Sequence, residues 1–252
     1  MKSGILKALA IILGIGLAAC SHDSQFKKAT PAVQAATNMQ LAIEYMKLGK
    51  LANSRDLVER ALSEDPGNAD VQMTAGLVYE RLNETSKAER AYSTGYRLGK
   101  TDPNIQNNYA GFLCRTGKAG AGEELFAEVA RNPLYQTPEV ALVNAGVCVR
   151  GAGDVVDAER YFSRALALRP NMPEAMVQLG TIALDRDDAV QARDMVQRYL
   201  AVNPPTAEVL WLGVRAERKL GDNTAAAAYA RRVQAEFPTS EQAQTMRSGV
   251  DR

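Results

Sequence analysis

Three cysteines and one histidine carry the nucleophilic and metal-binding potential of this 252-residue chain. The single imidazole, His22, stands two residues after Cys20, near the amino terminus. A Ser-His-Asp or Cys-His arrangement needs an imidazole beside its nucleophile, so neither is available farther along. A zinc site needs more nitrogen and sulfur ligands than remain. The glycine runs Gly117 to Gly122 and Gly151 to Gly153 follow apolar helical segments, and neither completes a phosphate-binding loop. The paired acids Glu123-Glu124 and Asp187-Asp188 fall in or near turns, where water solvates them. The sequence therefore offers no catalytic residues, no metal, no cofactor and no small-molecule substrate. A non-enzymatic role is expected.

Cys20 stands in a setting of its own. Lys2 and Lys7 give a positive start, and Ala8 to Ala19 is apolar or small. That run is too short for a membrane-spanning helix, which needs ~20 residues. It has the form of a secretory leader. Leu17-Ala18-Ala19-Cys20 resembles a bacterial lipobox. The resemblance implies cleavage of residues 1–19 and acylation of Cys20. Three acyl chains would hold the protein on a membrane without crossing it, since each buried CH₂ adds ~0.8 kcal/mol. Ser21 stands where an aspartate would retain a lipoprotein in the inner membrane, so the same resemblance implies the periplasmic face of the outer membrane. Residues 20–31 are polar and aperiodic, and read as an acylated cysteine with a flexible tether.

The formal charge is +1 for the whole chain, and losing Lys2 and Lys7 leaves it near neutrality. A nucleic-acid binder would carry a basic excess, so no nucleic-acid partner is expected.

What the remaining chain must build is set by its period. Pro170, Pro204 and Pro238 are spaced by 34 residues, the tetratricopeptide repeat length. Six repeats fit, at 35–68, 69–102, 103–136, 139–172, 173–206 and 207–240, with one two-residue insertion before Glu139. The eighth position must be small where two antiparallel helices approach. It reads Ala42, Gly76, Ala110, Gly146, Gly180 and Val214. The twentieth, facing it, reads Ser54, Ala88, Gly122, Ala158, Ala192 and Ala226. The twenty-fourth should be large, and reads Val58, Tyr92, Phe126, Phe162, Val196 and Ala230. Gly49, Gly117, Gly151 to Gly153 and Gly221 mark turns between helices. The expected fold is all-α, a right-handed superhelix of six tetratricopeptide-like helix pairs over residues 32–252, closed by a short helix after residue 240.

Cys114 and Cys148 fall on the first helices of adjacent repeats, 34 residues apart. In an oxidising compartment two free thiols are a liability and a disulfide is ordinary. The alternative is two buried, reduced cysteines packed as small hydrophobes.

First helices line the concave face of such a superhelix, through their second, fifth, ninth, twelfth and thirteenth positions. Repeat one supplies Ala36, Met39, Ile43, Met46 and Lys47; repeat two supplies Asp70, Met73, Leu77, Glu80 and Arg81. Met39, Ile43, Met46, Met73 and Leu77 would make a methionine-rich protein-binding groove, suited to an apolar or amphipathic segment. Alternatively Pro31 to Ala36 cover it. Trp211, Arg215, Arg218 and Lys219 in repeat six form either a carboxylate site or a solvated edge.

Two further stretches narrow the reading. NNYAGFLCRTGK, Asn107 to Lys118, and NPLYQTPEVALVNAGVC, Asn132 to Cys148, resemble the PilF/PilW family of type IV pilus biogenesis lipoproteins. GDVVDAERYFSRAL, Gly153 to Leu166, continues the match. Ala110-Gly111 departs from the family's order of glycine first, though both residues are small. The resemblance implies a pilotin, which binds pilus secretin subunits and promotes their localisation and multimerisation at the outer membrane. A scaffold lipoprotein of another envelope machine, for barrel assembly or peptidoglycan synthesis, fits the repeats and lipobox equally well.

Overall fold

The computed structural model describes residues 29–248, and Cys20, His22 and most of the expected tether lie outside them. Thirteen helices and no strand are present among the described residues. They form six antiparallel pairs: α1 (Pro31–Lys47) with α2 (Leu51–Glu64), α3 (Ala69–Arg81) with α4 (Thr85–Leu98), and α5 (Pro103–Arg115) with α6 (Ala119–Arg131). The series continues with α7 (Pro138–Gly151) and α8 (Val155–Leu168), α9 (Pro173–Asp185) and α10 (Ala189–Leu200), and α11 (Ala207–Lys219) and α12 (Asn223–Glu236). A final helix, α13 (Glu241–Ser248), packs on α11 and α12. The architecture is a tetratricopeptide superhelix, in which each pair buries its apolar face against its neighbours.

Local chemistry sets where each helix begins and ends. Proline occupies the first position of α1, α5, α7 and α9, where its missing N–H costs nothing. Side chains of Thr30, Asn68, Asp102 and Thr206 accept from the first free backbone N–H groups of α1, α3, α5 and α11. The turn inside every pair is left-handed at one residue. Gly49, Gly117, Gly153 and Gly221 have φ between +70° and +95°, and Asn83 (+59°) and Asp187 (+65°) take the same place in repeats two and five. Asparagine and aspartate are the residues that tolerate this conformation best after glycine.

Close approach within the pairs follows the small-against-large rule. A Cβ on Gly76 would lie 2.7 Å from the Tyr92 ring, and one on Gly146 would lie 2.6 Å from the Phe162 ring. Ser54 is fully buried and donates to the Ala42 carbonyl at 2.7 Å. Repeat six solves the problem one residue earlier: Gly213, not Val214, receives the Tyr229 ring, and Val214 is itself fully buried.

The ends of the array differ. At the carboxyl end Ala243 of α13 closes over Leu210 and Val233. At the amino end the outer side of α1 is uncovered among the described residues, with Val33, Leu41 and Leu48 exposed. Helix α1 starts four residues before the repeat frame. Pro31 to Ala36 are thus its first turns, with Ala35 packed against Ala61 and Val71, and do not lie over the concave face.

Candidate peptide-binding cleft

One face of each of the four leading first helices turns toward a common cleft of about 930 Å³. Residues three or four apart lie on one side of a helix, and the lining follows that spacing. It reads Met39 and Ile43 on α1, then Met73 and Leu77 on α3. It continues through Asn108, Gly111 and Arg115 on α5, and Asn144, Val147 and Gly151 on α7. Tyr92 and Phe126, the large residues of two second helices, show their rings at its floor.

The cleft brings together four of the five residues expected in the groove. Met39, Ile43 and Leu77 are half-buried, and Met73 is nearly covered, its sulfur close against Gly95. Met46 is elsewhere. It is buried at 8 % exposure in the core with Ala42, Val58 and Ala75. The reason is angular. At 100° per residue Met46 stands about 40° from Ala42, on the packed side, and about 60° from Ile43.

The groove positions named from the sequence lie in repeats one, two and six, and omit the wall that repeats three and four supply. The same positions in repeats three and four include Asn107, Gly111, Cys114, Arg115, Val147 and Gly151. Thr74, Asn108 and Asn144 stand at the sixth position of their repeats, which that rule does not include.

Cys114 and Cys148 are joined by a disulfide that borders the cleft, with Cα atoms 5.4 Å apart. It ties α5 to α7 across the junction carrying the two-residue insertion. Gly122 makes room for it, since a Cβ there would strike the Cys114 sulfur and lie 2.9 Å from the Ala110 carbonyl oxygen.

Among the described residues, the one cation lining the cleft is already occupied. Arg115 donates from Nε to Glu80 Oε1 at 2.5 Å and from Nη2 to Oε2 at 2.9 Å. The Tyr92 hydroxyl donates to the same carboxylate at 3.0 Å. Burial works to raise the Glu80 pKa, but the Arg115 hydrogen bonds and charge outweigh it and hold the carboxyl below its ordinary value. Burial, reinforced by Glu80, pushes the Tyr92 phenol well up, so it remains a donor. On the far side, Asp70 makes no ion pair among the described residues.

Repeat six shows a different surface. Arg218 lies over the Trp211 ring at 5.8 Å. Lys219 is tied back to α9, donating to the Leu184 carbonyl and pairing with Asp187, both at 2.7 Å. Among the described residues no group of three His, Cys, Asp or Glu side chains converges as a metal site would require, and no helix is long and apolar enough to cross a membrane.

Helix pairs stacked at a 34-residue period, with a concave cleft of mixed apolar and amide lining, define a tetratricopeptide-repeat protein. Tetratricopeptide repeat models match residues 39–103, 150–217 and 208–240. The crystal structure of PilW, a widely conserved type IV pilus biogenesis factor, superposes with a TM-score of 0.69 at 30% identity, over 84% of this chain and 97% of that one. The type IV pilus assembly protein PilF of Pseudomonas aeruginosa is 24% identical over 237 residues, spanning 92% of this chain and 94% of PilF. A solved structure of Pseudomonas aeruginosa PilF superposes at a TM-score of 0.65 with 22% identity, covering 86% of this chain and 97% of that one. This chain belongs to the PilF/PilW family of type IV pilus biogenesis proteins.

Proposed function

We propose that this protein is an outer-membrane pilotin, anchored through acylated Cys20, that binds subunits of the type IV pilus secretin and promotes their localisation and multimerisation. The observation carrying this reading is the cleft over α1, α3, α5 and α7, in a chain of a pilus-biogenesis family. Its apolar end, Met39, Ile43, Met73 and Leu77, suits an aliphatic segment that would otherwise expose its own hydrophobic surface before the pore is complete. Thioether side chains adapt to ligands of varied shape. Anchoring adds a second effect. A protein held on the target membrane raises the local concentration of whatever it binds there, without any new contact. Nothing in this mechanism requires bond chemistry, and the protein acts as a scaffold.

The test is membrane fractionation of cells with and without the protein, blotting for the pilus secretin in unboiled samples. Loss of the multimer, with monomer in the inner membrane, is the expected result. Complementation with Ile43→Glu should reproduce the loss, and Cys20→Ala should leave the multimer misplaced. Normal assembly and sorting of the secretin in the deletion strain would refute the proposal.

A further inference from the structure

Three side-chain amides face the cleft at its α5 and α7 end: Asn107, Asn108 and Asn144. Among the described residues they share one hydrogen bond, from Asn144 Nδ2 to Asn107 Oδ1 at 3.3 Å. An asparagine amide has two N–H donors and a carbonyl acceptor. Most of that capacity is therefore left to water in a cleft whose other lining is mainly thioether, aliphatic and ring carbon, with Asp70, Thr74 and Arg115 as further polar side chains.

This constrains what can fill it. A ligand that is apolar throughout would strip water from the amides and return nothing. Each polar group so stranded costs roughly ten- to a hundredfold in affinity. A continuous amphipathic helix has the same defect, because its main-chain groups are already bonded to one another. An extended chain is different. Every residue other than proline offers a free N–H and a free C=O, and an amide answers both. Charge narrows the choice further. Arg115 is engaged by Glu80, so the cleft has no spare cation for a ligand carboxylate, whereas Asp70 stands unpaired among the described residues.

We infer that Asn107, Asn108 and Asn144 hold the main chain of the bound segment, which is extended across α5 and α7, apolar across α1 and α3, and neutral or basic overall. The inference rests on the secretin-binding reading of the same cleft. The disulfide serves it directly. Cys148 is one turn beyond Asn144 on α7, and Cys114 is two turns beyond Asn107 on α5, so the covalent link fixes the spacing of the amides before a ligand arrives. Asn107 and Asn144 are half-buried and Asn108 is exposed, so all three can be changed without opening the core.

The test uses overlapping synthetic peptides tiled across the pilus secretin of the same organism, with binding to the full mature chain read by fluorescence anisotropy. The tightest peptide is then resynthesised with single N-methylated peptide bonds. Asn108→Ala combined with Asn144→Ala should weaken binding roughly thirtyfold, about 2 kcal/mol at 1.4 kcal/mol per decade. N-methylation at the contacted bond should weaken the wild type similarly and the amide variant no further. Thermal melts matching the wild type confirm that the variants fold. Ile43→Glu separates the two levels of the reading. If it abolishes binding while the amide variant binds like wild type, the extended-segment inference is wrong and the cleft reading stands. If neither variant weakens binding, or no peptide binds, both fall.

Discussion

The same substitution should have opposite effects at two glycines. Gly120→Ala lies near the start of α6, where an added Cβ meets nothing within 4 Å. Alanine there removes backbone freedom from the unfolded chain and should stabilise by about 0.5 kcal/mol. Gly146→Ala lies inside α7, where the helix-propensity gain is up to about 1 kcal/mol. Its Cβ, however, would sit 2.6, 2.8 and 2.9 Å from three carbons of the Phe162 ring. Ordinary carbon contacts are about 3.5–4.0 Å, so the ring must retreat by about 1 Å. Phe162 is fully buried, among Ala110, Val143 and Ala158, and has no room to do so. Overpacking of this kind costs about 1–3 kcal/mol, which exceeds the propensity gain. A net loss of about 1–2 kcal/mol is expected for Gly146→Ala. Adding Phe162→Leu should recover part of it, so the double variant is more stable than the two single effects summed. Urea unfolding followed by far-ultraviolet circular dichroism measures all five proteins: wild type, the three single variants and the double variant. Equal stabilisation by Gly120→Ala and Gly146→Ala would refute the packing reading of the eighth position.

Replacing both cysteines of the disulfide with alanine should cost about 3.8 kcal/mol from the entropy of a 34-residue loop; a reductant titration of the wild type should converge on the same urea midpoint. Glu80 is held below its ordinary pKa of 4.5, so its contribution is present above that value and disappears as pH falls through the folded-state pKa. Glu80→Gln should therefore destabilise by about 1 kcal/mol at neutral pH, and the gap to wild type should close in acid, as read by thermal melts across a pH series. Asn83→Ala places a side chain with no local hydrogen bond at a φ of +59° and should cost about 1 kcal/mol, whereas Asn83→Gly should stay within about 0.5 kcal/mol of wild type in the same urea assay.

Repeat architecture was legible because each helix pair obeys the same local rules. A 34-residue period, small residues at two facing positions and turn glycines place most of the helices without reference to long-range contacts. The positions that escaped are those where a neighbour, and not the repeat, decides. Asn83 and Asp187 do the work of turn glycines but carry no glycine signal. Tyr229 packs on Gly213, one position before the expected pair on both helices, although α11 and α12 begin where the frame places them. Met46 fits the groove rule by number, yet the core formed with α2 and α3 claims it. The amide end of the cleft was visible in the sequence only as the stretch that carries the family resemblance. Its hydrogen-bonding capacity becomes apparent once Asn108 and Asn144 are seen on adjacent helices, across from the methionines.

The disulfide also gives the array a mechanical polarity. A load applied through the amino terminus would be felt first by α1, whose outer side no helix covers among the described residues, while α13 protects the other end. Repeats one and two hold together by packing, hydrogen bonds and ion pairs, with no disulfide between them among the described residues, and tension can peel them away pair by pair. Freed from Pro31 to Leu113, that chain lengthens by on the order of 300 Å at about 3.6 Å per residue. There the peeling meets Cys114. The loop it closes with Cys148 cannot be drawn out, and force passes directly across the sulfur bridge into α7. A molecule tethered at its amino end can thus lose the apolar half of its cleft under load and still keep the carboxyl-terminal repeats folded behind a covalent stop.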